Sequence, residues 1–292
     1  TICGDFQAAK ILGLMPENIK IIGITGTNGK TTVTKMVYSV MKSFHKNTYV
    51  VGNIGIPIFN IIDKVNKRNE KIYLIAELSS FQLSDKINLP VDSGVILNIT
   101  DDHLDWHQNY NDYVTAKINI FNEAKNKIAN FDCKKLLKKY KNCDDVTYFG
   151  DYKKKENFYF QKKDDLIKIF ENNLLIHTKK KDITKTNLNN VIASISVLNN
   201  YLPISKSIIN TLLNFTTISH RFEKFFNKNG VRFINDSKST NIGATIAALN
   251  NLSEPIILIF GGQTKKQNIN LINAHLRMVK VIIIIGEEKK KN

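Results

Sequence analysis

Residues 19–44 open on a β-branched apolar run, Ile19-Lys20-Ile21-Ile22-Gly23-Ile24-Thr25, and pass through the turn Gly26-Thr27-Asn28-Gly29 into Lys30-Thr31-Thr32. Beyond it Val33, Met36, Val37, Val40, Met41 and Phe44 stand at i, i+3, i+4, i+7, i+8 and i+11, one face of an amphipathic helix. A strand that turns through glycines directly into a helix is the repeating unit of a parallel α/β sheet. It also aims backbone N–H groups and the positive end of the helix at one point, which makes a phosphate site. Lys30 would bridge β- and γ-phosphates, and the Thr31 hydroxyl would bind Mg²⁺. The spacing departs from the strict G-x-x-x-x-G-K-[ST] pattern because position 24 is Ile. A tight glycine turn with an exposed lysine is the alternative.

Further apolar runs, Ile72 to Ala76 and Gly94 to Ile99, are short and end in polar residues, as parallel strands covered on both faces do. Functional residues are expected at their carboxyl ends. Glu77 ends the first run, where it would hold Mg²⁺ directly or through water, or be a solvated strand end. Asn98 to Asp105 closes the second with three carboxylates and His103, an imidazole that is either structural or a ligand. Phe131 to Lys185 alternates aromatic and charged residues and reads as a solvent-facing antiparallel patch or elaborated loops. Helices are expected at Leu188 to Asn199 and near Ser207 to Phe215. A second α/β unit begins after Arg221, with strands at Val231 to Ile234, Pro255 to Phe260 and Val279 to Ile285 and a helical stretch around Leu271 to Met278. The expected division is 1–218 and 219–292.

Composition narrows the partners. The net charge is +16, but only Arg68, Arg221, Arg232 and Arg277 are arginines, and lysine runs through the chain alongside Asn and Ile. That is solvated surface lysine rather than a nucleic-acid reader, which favours Arg forks. A hydrophobic share of 42% fits a soluble globular protein. The longest aliphatic stretch, Val281 to Ile285, is far short of a membrane span, so a cytoplasmic location is expected. Cys3, Cys133 and Cys143 cannot all pair and lack zinc spacing, so they read as ordinary thiols.

One ordered set of motifs runs through nearly the whole chain: Gly26-Thr27-Asn28-Gly29-Lys30-Thr31, Gly52-Asn53-Ile54-Gly55, Glu77-Leu78-Ser79-Ser80-Phe81-Gln82-Leu83, Asp102-His103-Leu104-Asp105, His220-Arg221-Phe222-Glu223 and Asn235-Asp236-Ser237-Lys238-Ser239-Thr240-Asn241. It resembles the Mur ligases, most closely the branch that adds D-glutamate to UDP-N-acetylmuramoyl-L-alanine in peptidoglycan precursor synthesis. The resemblance implies an α/β fold: a mostly parallel central sheet with a P-loop-type ATP site, plus a truncated Rossmann-like C-terminal domain. It implies amide formation from ATP through an acyl phosphate.

By position, the resemblance gives Gly26 to Thr32 to ATP, Thr31 and Glu77 to a first Mg²⁺, and His103 to a second. Lys117 falls where the family carries a carbamylated lysine supporting that second metal; read without the family, it is an ordinary lysine on an exposed helix face. Asn190 resembles an adenine-side asparagine, in a motif whose family histidine is Thr186 here. Arg221 would reach the ATP phosphates on domain closure, or form an interdomain salt bridge. Asp236 would touch the ribose, and Lys238 the phosphates or second substrate. Asn53 and Ser79 would touch the muramoyl-alanine part, Thr240 the D-glutamate carboxylate and Lys265 its side chain. The stretch at 235–241 also reads as a helix N-cap.

The chain opens on Thr1 and stops at Asn292 soon after an apolar run, so a piece lacking the N-terminal domain and the end of the C-terminal domain, inactive alone, is expected. The expected partners are the two small-molecule substrates, with no nucleic acid or membrane, on a monomer. A Mur-type ligase for another amino acid, or an inactive nucleotide-binding fragment, are the alternatives.

Overall fold

A computed structural model describes residues 4–15, 17–65, 70–84, 89–151, 157–181, 183–216, 219–262 and 268–286. Two units separate, Thr1–Ile99 with Val114–Phe215, and Thr100–Tyr113 with Thr216–Asn292.

In the first unit α1 (Asp5–Ile11) precedes β1 (Ile19–Thr25), and α2 (Lys30–Phe44) follows the glycine turn. Then come β2 (Thr48–Gly52), α3 (Ile58–Val65), β3 (Ile72–Glu77), the short α4 (Ser80–Leu83) and β4 (Ser93–Ile96). After α5 (Tyr110–Ile118), which crosses the division, follow β5 (Asn126–Asn130), α6 (Lys134–Leu137), β6 (Val146–Asp151), β7 (Phe158–Lys163), β8 (Leu166–Glu171) and β9 (Leu174–Lys180). The helices α7 (Lys185–Leu198) and α8 (Lys206–Leu213) close the unit. All nine strands form one sheet in the order β2-β3-β1-β4-β5-β6-β7-β8-β9. Pairing is parallel from β2 to β7 and antiparallel from β7 to β9.

Both faces of β1 are covered, with Ile19 and Ile21 buried like Ile22 and Ile24, as its unbroken apolar run requires. Ile22 and Ile24 join one core with Val33, Met36, Val37, Val40 and Met41 of α2 and Val191, Ile192 and Ile195 of α7. Each such side chain contributes about 1.5–3 kcal/mol by leaving water. Phe44, on the expected apolar face, is instead 55% exposed, at the last position of α2 where the chain turns toward β2.

Two expectations for this unit are corrected. The strand expected to run to Ile99 ends at Ile96, because Asn98 turns its hydrogen bonds to the glycine loop. The 131–185 stretch does contain antiparallel strands, but it is not a solvent-facing patch: Phe158, Tyr159 and Phe160 are 4%, 3% and 0% exposed. Successive residues of a strand face opposite ways, and both faces here are covered. Phe158 and Phe160 enter the α7 core, while the Tyr159 ring stacks on Phe170 at 4.8 Å.

In the second unit β10 (Glu223–Lys228) and β11 (Val231–Asn235) pair as an antiparallel hairpin, turned by Asn229 and Gly230 with φ of 51° and 79°. Positive φ at both central residues suits an Asn-Gly turn. Then come α9 (Ile242–Asn250), β12 (Ile256–Gly261) and β13 (Val279–Ile285), the last two a parallel pair. The expected helical stretch between them forms 3-10 turns over Ile269–His275, a run holding Asn270, Asn273 and His275, all poor helix formers. No helix among the described residues is long and apolar enough to cross a membrane.

Candidate functional site

The glycine loop lies between the carboxyl ends of β3, β1 and β4. Gly29, at φ 87°, is the N-cap of α2 and, as a glycine, brings no side-chain cap of its own. A Cβ there would lie 2.8 Å from Asn190 Oδ1, and one on Gly26 would lie 2.9 Å from Leu97 Cβ, so both positions need glycine for space as well as for conformation. The same contact places Asn190 of α7 against the loop.

Asn98 splints the loop from β4. Its Oδ1 accepts the Asn28 N–H at 2.8 Å, its Nδ2 donates to Asn28 O at 3.0 Å, and its carbonyl accepts the Thr27 N–H at 3.0 Å. Sequence reasoning assigned Asn98 no role. The only signal was a strand ending in a residue with both a donor and an acceptor, since its partner lies 70 positions away.

Two lysines converge on the loop's first carbonyl. Lys30 Nζ donates to Gly26 O at 2.7 Å and Thr27 O at 3.0 Å, and Lys117 Nζ to Gly26 O at 3.0 Å. Lys117 is 2% exposed, which overturns its reading as a surface helix lysine. A buried ammonium persists where it is hydrogen-bonded.

Glu77 is likewise no solvated strand end, being 2% exposed. Register sets it opposite Ile24, two residues before Gly26. Asn53 grips it twice, its N–H donating to Glu77 O at 2.8 Å and its Nδ2 to Oε1 at 2.9 Å. Gly52 permits this approach, since a Cβ there would sit 2.3 Å from Glu77 O. Glu77 Oε2 is buried with no hydrogen-bond partner, as is Thr25 Oγ1. A carboxylate oxygen left so is costly, and a hard cation satisfies it. Ser79 caps α4 in a reciprocal box with Gln82, and Gln7 Nε2 of α1 holds the same turn through Gln82 O at 2.9 Å. The loop fits an anion and Glu77 fits a cation. Among the described residues no three His, Cys, Asp or Glu side chains gather as a metal cage, so such a cation would draw further ligands from hydroxyl, phosphate and water oxygens.

The remaining predicted residues belong to the second unit. His103 has φ 53°, and the Asp102 carboxylate lies 3.6 Å from its Nε2. Arg221 sits between two left-handed residues, His220 at φ 66° and Phe222 at φ 50°. That turn is held from the 235–241 motif: Asp236 Oδ1 accepts the Phe222 N–H at 2.8 Å, Asn235 Nδ2 meets His220 Nδ1 at 2.8 Å, and the Lys238 N–H donates to His220 O at 3.1 Å. Asp236, expected at a ribose, thus engages the turn through Oδ1 and the Ser239 hydroxyl through Oδ2. Lys238 and Thr240 are exposed. Asn241 caps α9, as the N-cap reading of that stretch anticipates. Lys265 lies outside the described residues.

Residues 24–198 match the family model described as the Mur ligase middle domain. The chain is 36% identical over 272 residues to a UDP-N-acetylmuramoylalanine–D-glutamate ligase of Buchnera aphidicola, covering 90% of this chain and 60% of that protein. It is 35% identical over 294 residues to the Clostridioides difficile ligase of the same name, covering 98% and 64%. It therefore spans about 60% of the length of the curated relatives it matches. Among solved structures, MurF from Thermotoga maritima in complex with ADP superposes with a TM-score of 0.71 at 20% identity, over 95% of this chain and 68% of that one.

Proposed function

The chain belongs to the Mur ligase family, and on that premise we propose that it carries the ATP site, and part of the amino-acid site, of a ligase joining D-glutamate to UDP-N-acetylmuramoyl-L-alanine. The observation that supports this most is the glycine loop with Lys30 at its helix N-terminus, one strand from the partnerless buried oxygen of Glu77. The specificity for D-glutamate rests on the names of relatives at 36% and 35% identity. We read 1–218 as the ATP-binding domain and 219–292 as part of the C-terminal domain.

In the proposed reaction the substrate carboxylate attacks the γ-phosphorus of ATP, releasing ADP and leaving an acyl phosphate. The D-glutamate amine then adds to that carbonyl, and the tetrahedral adduct expels phosphate while the nitrogen loses a proton. Little of this is covalent work for the protein, so positioning and charge neutralisation carry it. The loop N–H groups and Lys30 would hold the β- and γ-phosphates. Asn190, Arg221 and Asp236 are read toward the nucleotide, Asn53 and Ser79 toward the muramoyl-alanine part, and Thr240 and Lys265 toward D-glutamate. Thr31 and Glu77 would hold one magnesium ion, His103 and a carbamylated Lys117 a second, and magnesium would offset the crowded phosphate charge.

Calorimetry with MgATP on this chain and on Lys30→Ala tests the site. Binding by the parent that is lost in the variant is expected; equal binding by both would overturn the assignment. An amino-acid panel, read as ATP turnover with UDP-N-acetylmuramoyl-L-alanine in the protein that carries this chain, tests specificity, and support from an amino acid other than D-glutamate would overturn it.

A further inference from the structure

Two motifs 139 positions apart meet in the second unit at a buried carboxylate. Asp102 is 4% exposed. Its Oδ1 accepts the His103 N–H at 3.0 Å, while its Oδ2 accepts Asn241 Nδ2 at 3.3 Å and lies 3.6 Å from His103 Nε2. Asn241, 6% exposed, also caps α9, its Oδ1 accepting the Ala244 N–H at 2.8 Å. One amide therefore works in two directions, oxygen on the helix and nitrogen on the carboxylate. Capping alone needs only the oxygen, and Ser, Thr or Asp supplies it about as well. The nitrogen is what asparagine adds. His103, held at a left-handed φ of 53°, is the kind of non-glycine residue that persists where its surroundings fix it.

We propose that Asp102 and Asn241 are positioning residues for His103: Asn241 fixes Asp102, and Asp102 selects the imidazole tautomer protonated on Nε2, which makes Nδ1 the lone-pair atom. The proposal rests on the reading of His103 as a magnesium ligand. A neutral imidazole carries one N–H and one acceptor nitrogen. A carboxylate 3.6 Å from Nε2 is beyond hydrogen-bond length, yet Asp102 is itself buried and, beside a ring that is a third exposed, favours the form whose N–H dipole points toward it. A metal-binding histidine characteristically carries such a carboxylate on the ring nitrogen that does not face the metal.

The test is ring-nitrogen NMR of His103 in its neutral form, on this chain, Asp102→Asn and Asn241→Ser, followed by Mn²⁺ titration. The parent is expected to show Nε2 as the protonated nitrogen. Asp102→Asn keeps the shape but turns an amide donor toward Nε2, so the two nitrogen signals should exchange character. Asn241→Ser retains a cap and removes the donor, so a mixed tautomer with unchanged α9 amide signals is expected; a structural role alone would not move the ring. A parent protonated on Nδ1, or ring signals indifferent to Asn241→Ser, overturns the proposal. Failure of Mn²⁺ to broaden the His103 ring signals overturns the ligand reading instead, while the tautomer result stands by itself.

Discussion

Replacing Asn98 by alanine isolates the splint from the rest of the loop. The side chain makes two hydrogen bonds to the Asn28 peptide, at 2.8 Å to its N–H and 3.0 Å to its carbonyl. At roughly 1 kcal/mol net for each, the loss is about 2 kcal/mol. No apolar core is opened, so no cavity cost is added. If the splint preorganises the loop, nucleotide binding must supply that order itself, and about 2 kcal/mol corresponds to roughly 30-fold weaker MgATP affinity. Urea unfolding measures the first quantity and calorimetry the second. Asn98→Asp sharpens the comparison, because it keeps an acceptor for the Asn28 N–H but sets a carboxylate oxygen against Asn28 O, and it should weaken nucleotide binding more than alanine does. A variant Asn98→Ala within about 0.5 kcal/mol of the parent in stability, with unchanged affinity, would refute the splint.

Glu77→Gln keeps an acceptor for Asn53 and removes a buried charge with a partnerless oxygen; without metal it should be more stable in urea by on the order of 1 kcal/mol, while its MgATP binding should need a higher magnesium concentration. Burial, followed by the Lys179 charge, holds His177 below its ordinary value of 6.5, so the folded state prefers the neutral ring. That stability is present above about pH 6.5 and declines as pH falls through it, and His177→Gln should flatten the decline in urea midpoints taken between about pH 8 and 5. Burial raises the thiol of Cys133 to about 12 and that of Cys143 to about 11. In a Cys3→Ser background, disulfide-reagent labelling at neutral pH should be slow in the native protein, faster at Cys143 than Cys133, and fast at both in denaturant. Ile257, Ile259, Val281, Ile283 and Ile285 are 45–66% exposed on the β12–β13 pair, so removing residues 219–292 should lower light scattering at matched concentration.

What the sequence revealed follows range. β1 and β13 match their expected bounds residue for residue, because a β-branched run bounded by polar residues is a local signal. The loop residues were legible for the same reason. The Asn98 splint and the contact of Asn241 with Asp102 were not, since each joins partners 70 or 139 positions apart. Read without the family, Lys117 was placed on an exposed face because helix propensity is silent about which face a helix buries, and here that face meets Gly26 O. The aromatics of β7 were placed too near solvent, as alternation with charge does not say whether the second face of a sheet is covered.

The turn between β8 and β9 has practical use as an attachment point. Asn172 and Asn173 supply its left-handed residues, at φ 44° and 70°, and Leu174 just beyond is 72% exposed. In the sheet order β8 stands five strands from β1, about 24 Å at ~4.8 Å per strand. Because β8 runs antiparallel to β7, the turn also lies at the opposite end of the sheet from the glycine loop. A fluorophore or surface tether grafted there would leave nucleotide access unobstructed, giving single-molecule and surface-based instruments a handle on this chain.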